Sequence, residues 1–146
     1  MKEKYITCIV LAFNSSDTII ETLNSIKYQT YRPNQLIIND DYSTDCTIST
    51  VDKWIMNNKQ LFNSIKFIKS MKRNGSVRSL KNALEFVKGE WVKPMAADDV
   101  LEINYFEEVR AKIIRYNFDI LITCPKFINQ ESKIIDMHKY YYYDSL

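Results

Sequence analysis

The ten residues LIINDDYSTD, at positions 36–45, decide how this chain folds. The apolar run at 36–38 predicts a short buried strand. Polar and acidic residues follow at once, among them the pair Asp40 and Asp41, and they are typical of a loop. Beyond the loop, apolar residues at positions 48, 51 and 55 recur at the spacing of one helical face. The stretch therefore predicts a strand, an acidic loop and a helix, in that order.

The same unit recurs along the chain in both directions. Further strands are predicted at residues 5–12, 65–68, 91–95 and 119–124. Further amphipathic helices are predicted over residues 19–26 and 77–87 and from about Asn104 onward. Strands that alternate with amphipathic helices imply a mostly parallel sheet with right-handed crossovers and helices on both faces. We therefore predict an α/β fold.

Two local signals refine the helix ends. Thr18, with Glu21 three residues later, predicts a capping box at the start of the first helix. Gly89 follows the apolar stripe at 77–87 and predicts a left-handed helix end.

The predicted α/β domain spans residues 1–125. Past Pro125 the alternation of strands and helices weakens, and residues 126–136 are compatible with a hairpin. We interpret residues 126–146 as a C-terminal extension of this domain.

Composition excludes several classes of protein. The 146 residues carry 20 Lys and Arg against 18 Asp and Glu, and the densest basic cluster, Lys69, Lys72 and Arg73, is too small to predict a nucleic-acid partner. Three widely spaced cysteines form neither a disulfide framework nor a zinc pattern, which fits a reducing cytosol. The N-terminus lacks a signal-peptide cleavage site, and no apolar run approaches the roughly 20 residues that span a bilayer. We expect a cytoplasmic protein without a transmembrane segment, and peripheral attachment at the inner face of the cell membrane stays open.

Acidic pairs follow two of the predicted strands, Asp40-Asp41 after the second and Asp98-Asp99 after the fourth. Because the carboxyl ends of parallel strands meet at one edge of a sheet, we expect the two pairs to share a cleft. Clustered carboxylates repel one another unless a cation or hydrogen-bond donors compensate. Mg²⁺ or Mn²⁺, held by one or two carboxylates and by the phosphate oxygens of a ligand, offers that compensation. For Asp40 or Asp45 taken alone, a helix cap or a turn is the alternative.

Five motifs resemble those of family 2 glycosyltransferases of the GT-A fold, and they follow the family's order over roughly residues 5–110. They are CIVLAFN at 8–14, SIKYQTY at 25–31, NDDYSTDCT at 39–47, the segment from Asn74-Gly75 to KGEW at 88–91, and Ala97-Asp98-Asp99. The resemblance implies a Rossmann-like nucleotide-diphospho-sugar transferase domain that is incomplete at its C-terminal end.

The matching positions imply a site for a nucleoside-diphosphate sugar. On the base side, Ala12, Phe13 and Asn14 belong to the site, with Phe13 stacking on or bordering the uracil or other base. Asp41 accepts a ring N–H of that base, and Asp98 lies near the ribose. For Phe13, a place in the core is the alternative.

On the phosphate side, the resemblance implies that Asp99 ligates a divalent cation, Mn²⁺ or Mg²⁺, which bridges the diphosphate. Arg78 or Lys81 reaches the phosphates, although a solvated helix face is the alternative for both residues.

The chain departs from the family's pattern at three positions. Tyr42 stands where the family usually has Gly, so we expect a loop that cannot rely on glycine's left-handed conformation. Ala96 removes one acid from the longer acidic form of the metal motif, which leaves fewer metal ligands. Lys81 replaces an Arg and lacks the planar, two-pronged geometry for phosphate.

The implied activity is an inverting transfer of a hexosyl group to the hydroxyl of a carbohydrate or lipid-linked acceptor, in cell-surface polysaccharide biosynthesis. Inverting members of the family place their catalytic base in an acceptor-binding half that follows the matched region. We therefore assign no catalytic residue, and we interpret residues 126–146 as the start of that half. Two other classes stay open: a donor-binding fragment or subunit without catalysis of its own, and a receiver domain, against which the order of the motifs argues.

Overall fold

The computed structural model describes residues 5–116, 119–123, 126–128 and 134–137. The strands are β1 (Ile6–Ala12), β2 (Gln35–Asp40), β3 (Ser64–Lys69), β4 (Trp91–Ala96), β5 (Lys126–Ile128) and β6 (Ile134–Met137). The helices are α1 (Ile19–Lys27), α2 (Thr47–Asn58), α3 (Ser76–Leu84) and α4 (Tyr105–Arg115), and a 3₁₀ turn covers Lys59–Leu61. The first four strands and all four helices confirm the predicted alternation.

Strands β1 to β4 form one sheet in the order β3-β2-β1-β4, and every pair in it is parallel. The chain moves toward one edge of the sheet through β1, β2 and β3, and it returns to the far side of β1 with β4. With right-handed crossovers, this reversal puts α1 and α2 on one face and α3 on the other. Consistently, α1 packs on α2, and α3 packs on β1 and β2. The predicted α/β fold is confirmed.

The hydrophobic core lies on both faces of the two central strands. Every residue of β2 is buried. Ile9 of β1 and Ile37 of β2 pack with Ala83 of α3 on one face. Buried residues of α1 and α2, among them Leu23 and Val51, supply the opposite face. Parallel strands that are covered on both faces need continuous apolar runs, such as the one at 36–38.

The chain divides into two compact units, Met1–Arg115 and Tyr116–Leu146. The first unit holds the parallel sheet and the four helices. In the second unit, β5 and β6 pair antiparallel, as the hairpin predicted over residues 126–136 requires. The assignment of residues 1–125 and 126–146 to separate functional regions stays a prediction.

The fifth strand predicted at 119–124 is wrong over its described part. Residues 119–123 have no regular secondary structure, and Ile120 and Ile122 are exposed. Cys124 lies outside the described residues. An apolar pattern produces a strand only where a neighbouring strand completes its hydrogen bonds, and sequence pattern does not reveal that neighbour.

The side-chain cap predicted at Thr18 and the left-handed helix end predicted at Gly89 are wrong. Thr18 is the N-cap residue of α1, but its hydroxyl donates to the Ala97 carbonyl at 2.9 Å and does not cap the helix. Helix α3 ends at Leu84, and Gly89 does not have a left-handed conformation. A Cβ atom at Gly89 would lie 2.6 Å from the Tyr5 carbonyl oxygen, so this glycine permits close backbone packing. Both residues serve tertiary contacts, which local patterns do not show.

Candidate functional site

The loops that follow β1, β2 and β4 meet at the carboxyl edge of the sheet. The Asp41 N–H donates to the Ala12 carbonyl at 2.8 Å, and the Ala97 N–H donates to the Leu11 carbonyl at 3.0 Å. The two acidic pairs therefore lie on either side of the last residues of β1. This is also where the strand order reverses, and open α/β sheets bind their ligands at such a switch point.

Asn14 joins the end of β1 to the acidic loop. Its N–H donates to Ser43 Oγ at 2.9 Å, and its Oδ1 accepts the Thr44 N–H at 2.9 Å. Asn14 has a φ of 47°, a left-handed conformation that asparagine tolerates better than most residues. Ala12 is buried beneath this turn and Phe13 is half-buried. Ala12, Phe13 and Asn14, the residues predicted for the base side, thus form a rim at the carboxyl edge of the sheet.

Tyr42 adopts the left-handed conformation that we expected its side chain to prevent. Its φ is 68°, and its side chain is exposed. The neighbouring residues hold the loop in this shape, because the buried Asp40 carboxylate accepts hydrogen bonds from both the N–H and the hydroxyl of Ser43. The loop therefore keeps a glycine-like backbone without glycine, at the cost of local strain.

Asp41 connects the acidic loop to the start of α3. Its two carboxylate oxygens accept the N–H groups of Asn74 and Gly75, each at 2.8 Å. Gly75 is the N-cap residue of α3, with φ 82° and ψ 160°, a conformation open almost only to glycine. Burial opposes ionisation of Asp41, but these two N–H groups and the charge of Arg73 together hold its pKa below the ordinary value. Asp41 is therefore an ionised side chain at neutral pH.

Asp40 and Asp45 have the loop-shaping role that was the alternative for each of them. Asp45 accepts the Ser16 N–H at 3.1 Å and, at the start of α2, the Thr47 N–H at 2.9 Å. Desolvation opposes ionisation of Asp45, yet hydrogen bonds from Thr47 and Ser16 outweigh it and lower its pKa to about 2. Because both carboxylates hold the loop in shape, we assign neither of them to ligand binding.

Asp98 and Asp99 lie exposed in the turn after β4. One oxygen of Asp99 accepts the Ala96 N–H at 3.2 Å. Arg78 and Lys81 are exposed on α3. Within the described part of the chain, no three His, Cys, Asp or Glu side chains cluster as a metal site. The carboxylates present fit a divalent ion whose remaining ligands are phosphate oxygens and water, which is the usual arrangement for Mg²⁺.

Arg73 is a site residue that sequence reasoning missed. Its guanidinium carbon lies 3.7 Å from the centroid of the Phe13 ring, a stacked cation–π contact. The sequence placed Arg73 only in a basic surface cluster, and the one available signal was its position directly before Asn74-Gly75. A base that stacks on this face of Phe13 has to replace the guanidinium.

A separate groove of about 580 Å³ lies between α1 and residues 100–103. Its lining includes Tyr28, Val100 and Ile103. None of the residues predicted for the nucleotide-sugar site lines this groove, so the position of the groove adds nothing to the donor site.

Known proteins are similar to this chain in sequence or in fold. The UDP-Glc:alpha-D-GlcNAc-diphosphoundecaprenol beta-1,3-glucosyltransferase WfaP of Escherichia coli is 34% identical over 94 residues, 64% of this chain and 35% of WfaP. The crystal structure of Staphylococcus aureus TarS 1-349 in complex with UDP-GlcNAc matches with a TM-score of 0.68 and 27% identity, over 76% of this chain and 31% of that one. The mannosyltransferase PcManGT from Pyrobaculum calidifontis, in complex with GDP-Man and Mn²⁺, matches with a TM-score of 0.60 and 31% identity, over 65% of this chain and 28% of that one.

The matches cover only part of each known protein. The chain spans 31% to 38% of the length of three curated relatives. Among the helices that the structure describes, none has the length and apolar content needed to cross a bilayer. The parallel sheet with helices on both faces is the GT-A fold of these neighbours. The family model for glycosyl transferase family 2 matches residues 7–145, and this chain therefore belongs to that family.

Proposed function

We propose that this chain forms the donor-binding part of an enzyme that transfers a hexosyl group, with inversion, from a nucleoside diphosphate to an acceptor hydroxyl in cell-surface polysaccharide biosynthesis. The observation that carries the proposal is the meeting of the loops of Asp41 and of Asp98-Asp99 at the end of β1. The family supports it, since WfaP is named for a UDP-Glc donor and TarS was solved with UDP-GlcNAc. We propose a donor of this chemical class.

On the base side, the rim formed by Ala12, Phe13 and Asn14 borders the base. Asp41 accepts one of its ring N–H groups. Each oxygen of Asp41 receives one backbone N–H, and a carboxylate oxygen has two lone pairs, so acceptor capacity remains for the ligand.

On the phosphate side, Asp98 lies near the ribose and Asp99 holds Mn²⁺ or Mg²⁺. Asp99 bonds to Ala96 through one oxygen, and its second oxygen is the proposed metal ligand. When bound there, such a cation would neutralise the negative charge that develops on the departing diphosphate. Arg78 and Lys81 of α3 contact the phosphates.

The acceptor is a carbohydrate or a lipid-linked carbohydrate, since the name of WfaP includes a diphosphoundecaprenol-linked acceptor. We place the protein in the cytoplasm, with peripheral association at the inner face of the cell membrane. The same donor site would also serve a second candidate function, which is donor binding without catalysis.

Calorimetry with UDP, in the presence and absence of Mn²⁺, tests the site. Asp99→Ala is expected to remove the Mn²⁺-dependent part of the UDP affinity, about tenfold or ~1.4 kcal/mol. Glu85→Ala changes an exposed carboxylate at the far end of α3 and is the matched control, with unchanged affinity. An Asp99→Ala variant that still binds UDP in a Mn²⁺-dependent manner would exclude Asp99 from the site. Donor hydrolysis then separates the two candidate functions, because a binding module shows affinity without turnover.

A further inference from the structure

Asn39 is a buried polar residue that none of the proposed donor contacts uses. It lies in β2, directly before the pair Asp40-Asp41, and it is fully buried. Its Nδ2 donates to the backbone carbonyl of Ser79 at 2.5 Å. Its Oδ1 has no hydrogen-bond partner among the residues that the structure describes. Because burying a half-paired amide costs free energy that an apolar side chain would not cost, stability alone does not account for Asn39.

Helix α3 lies along one face of β2. Alternate residues of a strand point to the same face, and the alternate residues from position 35 to position 41 meet successive turns of α3 and its flanking residues. The contacting pairs, in order, are Gln35 with Phe86, Ile37 with Ala83, Asn39 with Ser79, and Asp41 with Gly75. Two strand residues rise about 6.6 Å and four helical residues rise about 6 Å, so the steps of the two elements match. The strand and the helix therefore run antiparallel, side by side, over this length.

Asn39 and Asp41 hold the same turn of α3. The Ser79 N–H donates to the Gly75 carbonyl at 3.0 Å, so these two residues lie one turn apart on the same side of the helix. Asp41 accepts the N–H groups of Asn74 and Gly75 at the start of that turn, and Asn39 donates to a carbonyl at its end. A carbonyl inside a helix already has a helical partner. The Asn39 bond therefore fixes the position of the helix and is not needed to complete it.

The charge of Asp41 depends on where α3 begins. Burial raises the pKa of Asp41, but the N–H groups of Asn74 and Gly75 and the charge of Arg73 outweigh burial and lower it. The neighbouring carboxylate of Asp40 is engaged within the acidic loop. A shift of α3 along β2 would lengthen both N–H bonds to Asp41 and favour its protonated form.

We propose that Asn39 is a positioning residue of the donor site, whose amide fixes the first turn of α3 against β2 so that the Asn74 and Gly75 N–H groups stay on the Asp41 carboxylate. Asn39 acts through Asp41, since a fully buried side chain does not touch the donor. The inference rests on the proposed function in one respect, which is that Asp41 accepts a ring N–H of the base. An ionised carboxylate is the stronger acceptor for that bond.

Titration of the Asp41 carboxyl group by carbon-13 NMR tests the positioning without any ligand. In Asn39→Ala we expect the pKa of Asp41 to rise above that of the unchanged chain, because weaker N–H bonds stabilise the ionised form less. Asn39→Val should also raise it. Valine suits a strand and fills more of the space, so this second variant separates the loss of the amide from the cavity that alanine leaves.

The matched control is Asn58→Ala. Asn58 is also buried, and its Nδ2 also donates to a helical carbonyl, that of Trp54 at 2.7 Å. It is the last residue of α2 and lies at the amino edge of the sheet, away from the acidic loop. Its replacement should leave the Asp41 titration unchanged. The inference is overturned if both Asn39 variants keep the Asp41 pKa of the unchanged chain, or if Asn39→Ala and Asn58→Ala raise it equally.

UDP calorimetry without Mn²⁺ separates this inference from the proposed function. At neutral pH, Asn39→Ala should weaken the UDP affinity about fivefold, the effect of one hydrogen bond, and Asn58→Ala should leave it unchanged. As the pH falls, the affinity should begin to drop at a higher pH in Asn39→Ala than in the other two proteins. The diphosphate of UDP titrates alike in all three experiments, so the difference reports Asp41.

The two failures have different signatures. An unchanged chain that does not bind UDP would contradict the proposed function, and the carboxyl titration would still decide the role of Asn39. Equal UDP affinity of Asn39→Ala and an unchanged chain that binds UDP would exclude Asn39 as a positioning residue of the donor site.

Discussion

Tyr42 occupies a backbone conformation that its own side chain disfavours. For an L-residue with a Cβ atom, the left-handed region costs roughly 1–2 kcal/mol, and Tyr42 has a φ of 68°. The hydrogen bonds of Asp40 and Asn14 to Ser43 hold its neighbour in place. Such strain is concentrated at functional sites, where the surrounding contacts determine the backbone.

Replacing Tyr42 with glycine should therefore stabilise the protein. Removing the strain gains roughly 1–2 kcal/mol, and the larger backbone entropy of glycine costs roughly 0.5–1 kcal/mol, so we expect a net gain of about 0.5–1 kcal/mol in the free energy of unfolding. Urea denaturation measures it. Tyr28 is the matched control, since it is 60% exposed against 49% for Tyr42 but has a φ of −88°, and Tyr28→Gly should lose stability. Equal effects of the two substitutions would show that Tyr42 is not strained.

Asp45 should make stability depend on pH below about 4. Its pKa in the folded chain is about 2, lower than the ordinary value of 3.8. A carboxylate with a depressed pKa stabilises the fold above its unfolded-state pKa, and this contribution is lost as the pH falls through the folded-state value. The free energy of unfolding should thus decrease from pH 4 toward pH 2.

The Asp45→Asn variant tests this dependence by acid titration of the free energy of unfolding. It should be less stable at neutral pH, because one acceptor for the Ser16 and Thr47 N–H groups is lost. Its stability should also change less between pH 4 and pH 2. A slope equal to that of the unchanged chain would show that Asp45 does not cause the dependence.

At the scale of elements, two residues that resemble local helix-end signals serve contacts between segments. Thr18 resembles a helix cap in sequence, yet its hydroxyl holds the start of α1 to the loop after β4. Gly89 resembles a helix end, yet it permits the chain to pass closely beside the start of β1. The order and approximate bounds of β1 to β4 and α1 to α4 were predictable from periodicity, because both faces of the sheet are buried. Their tertiary contacts were not.

Gly89→Ala tests the close approach. The new Cβ would lie 2.6 Å from the Tyr5 carbonyl oxygen and 2.8 Å from Thr7 Oγ1, so β1 or the segment before β4 has to shift. We expect a loss of roughly 1–3 kcal/mol in the free energy of unfolding, typical of overpacking. Lys88→Ala, at the exposed neighbour, should stay within about 0.5 kcal/mol of the unchanged chain. Similar stability of the two variants would exclude steric packing as the reason for the glycine.

At the scale of the whole molecule, the proposed donor site joins three loops that are far apart in sequence. A ligand that contacts all of them binds the folded state and not the unfolded chain. At a concentration about 100 times its dissociation constant, such a ligand adds roughly 2.7 kcal/mol to the free energy of unfolding.

UDP with Mn²⁺ should therefore raise the Tm more than UDP or Mn²⁺ alone. The same measurement on Asp99→Ala should show no added effect of Mn²⁺ over UDP. Glu85→Ala again serves as the control and should behave as the unchanged chain. A Tm that UDP and Mn²⁺ together leave unchanged would contradict the proposed donor site.

Apolar periodicity and motif order were enough to predict the class of fold, the order of β1 to β4 and α1 to α4, and the family, because both are local properties of the chain. It also indicated the acidic pairs at the strand ends. The folded structure was needed to show that the Asp41 carboxylate binds the start of α3, that Arg73 covers Phe13, and that Asp40 and Asp45 shape the loop. The role of a carboxylate depends on which hydrogen-bond donors the fold brings to it. Those donors come from residues up to 34 positions away.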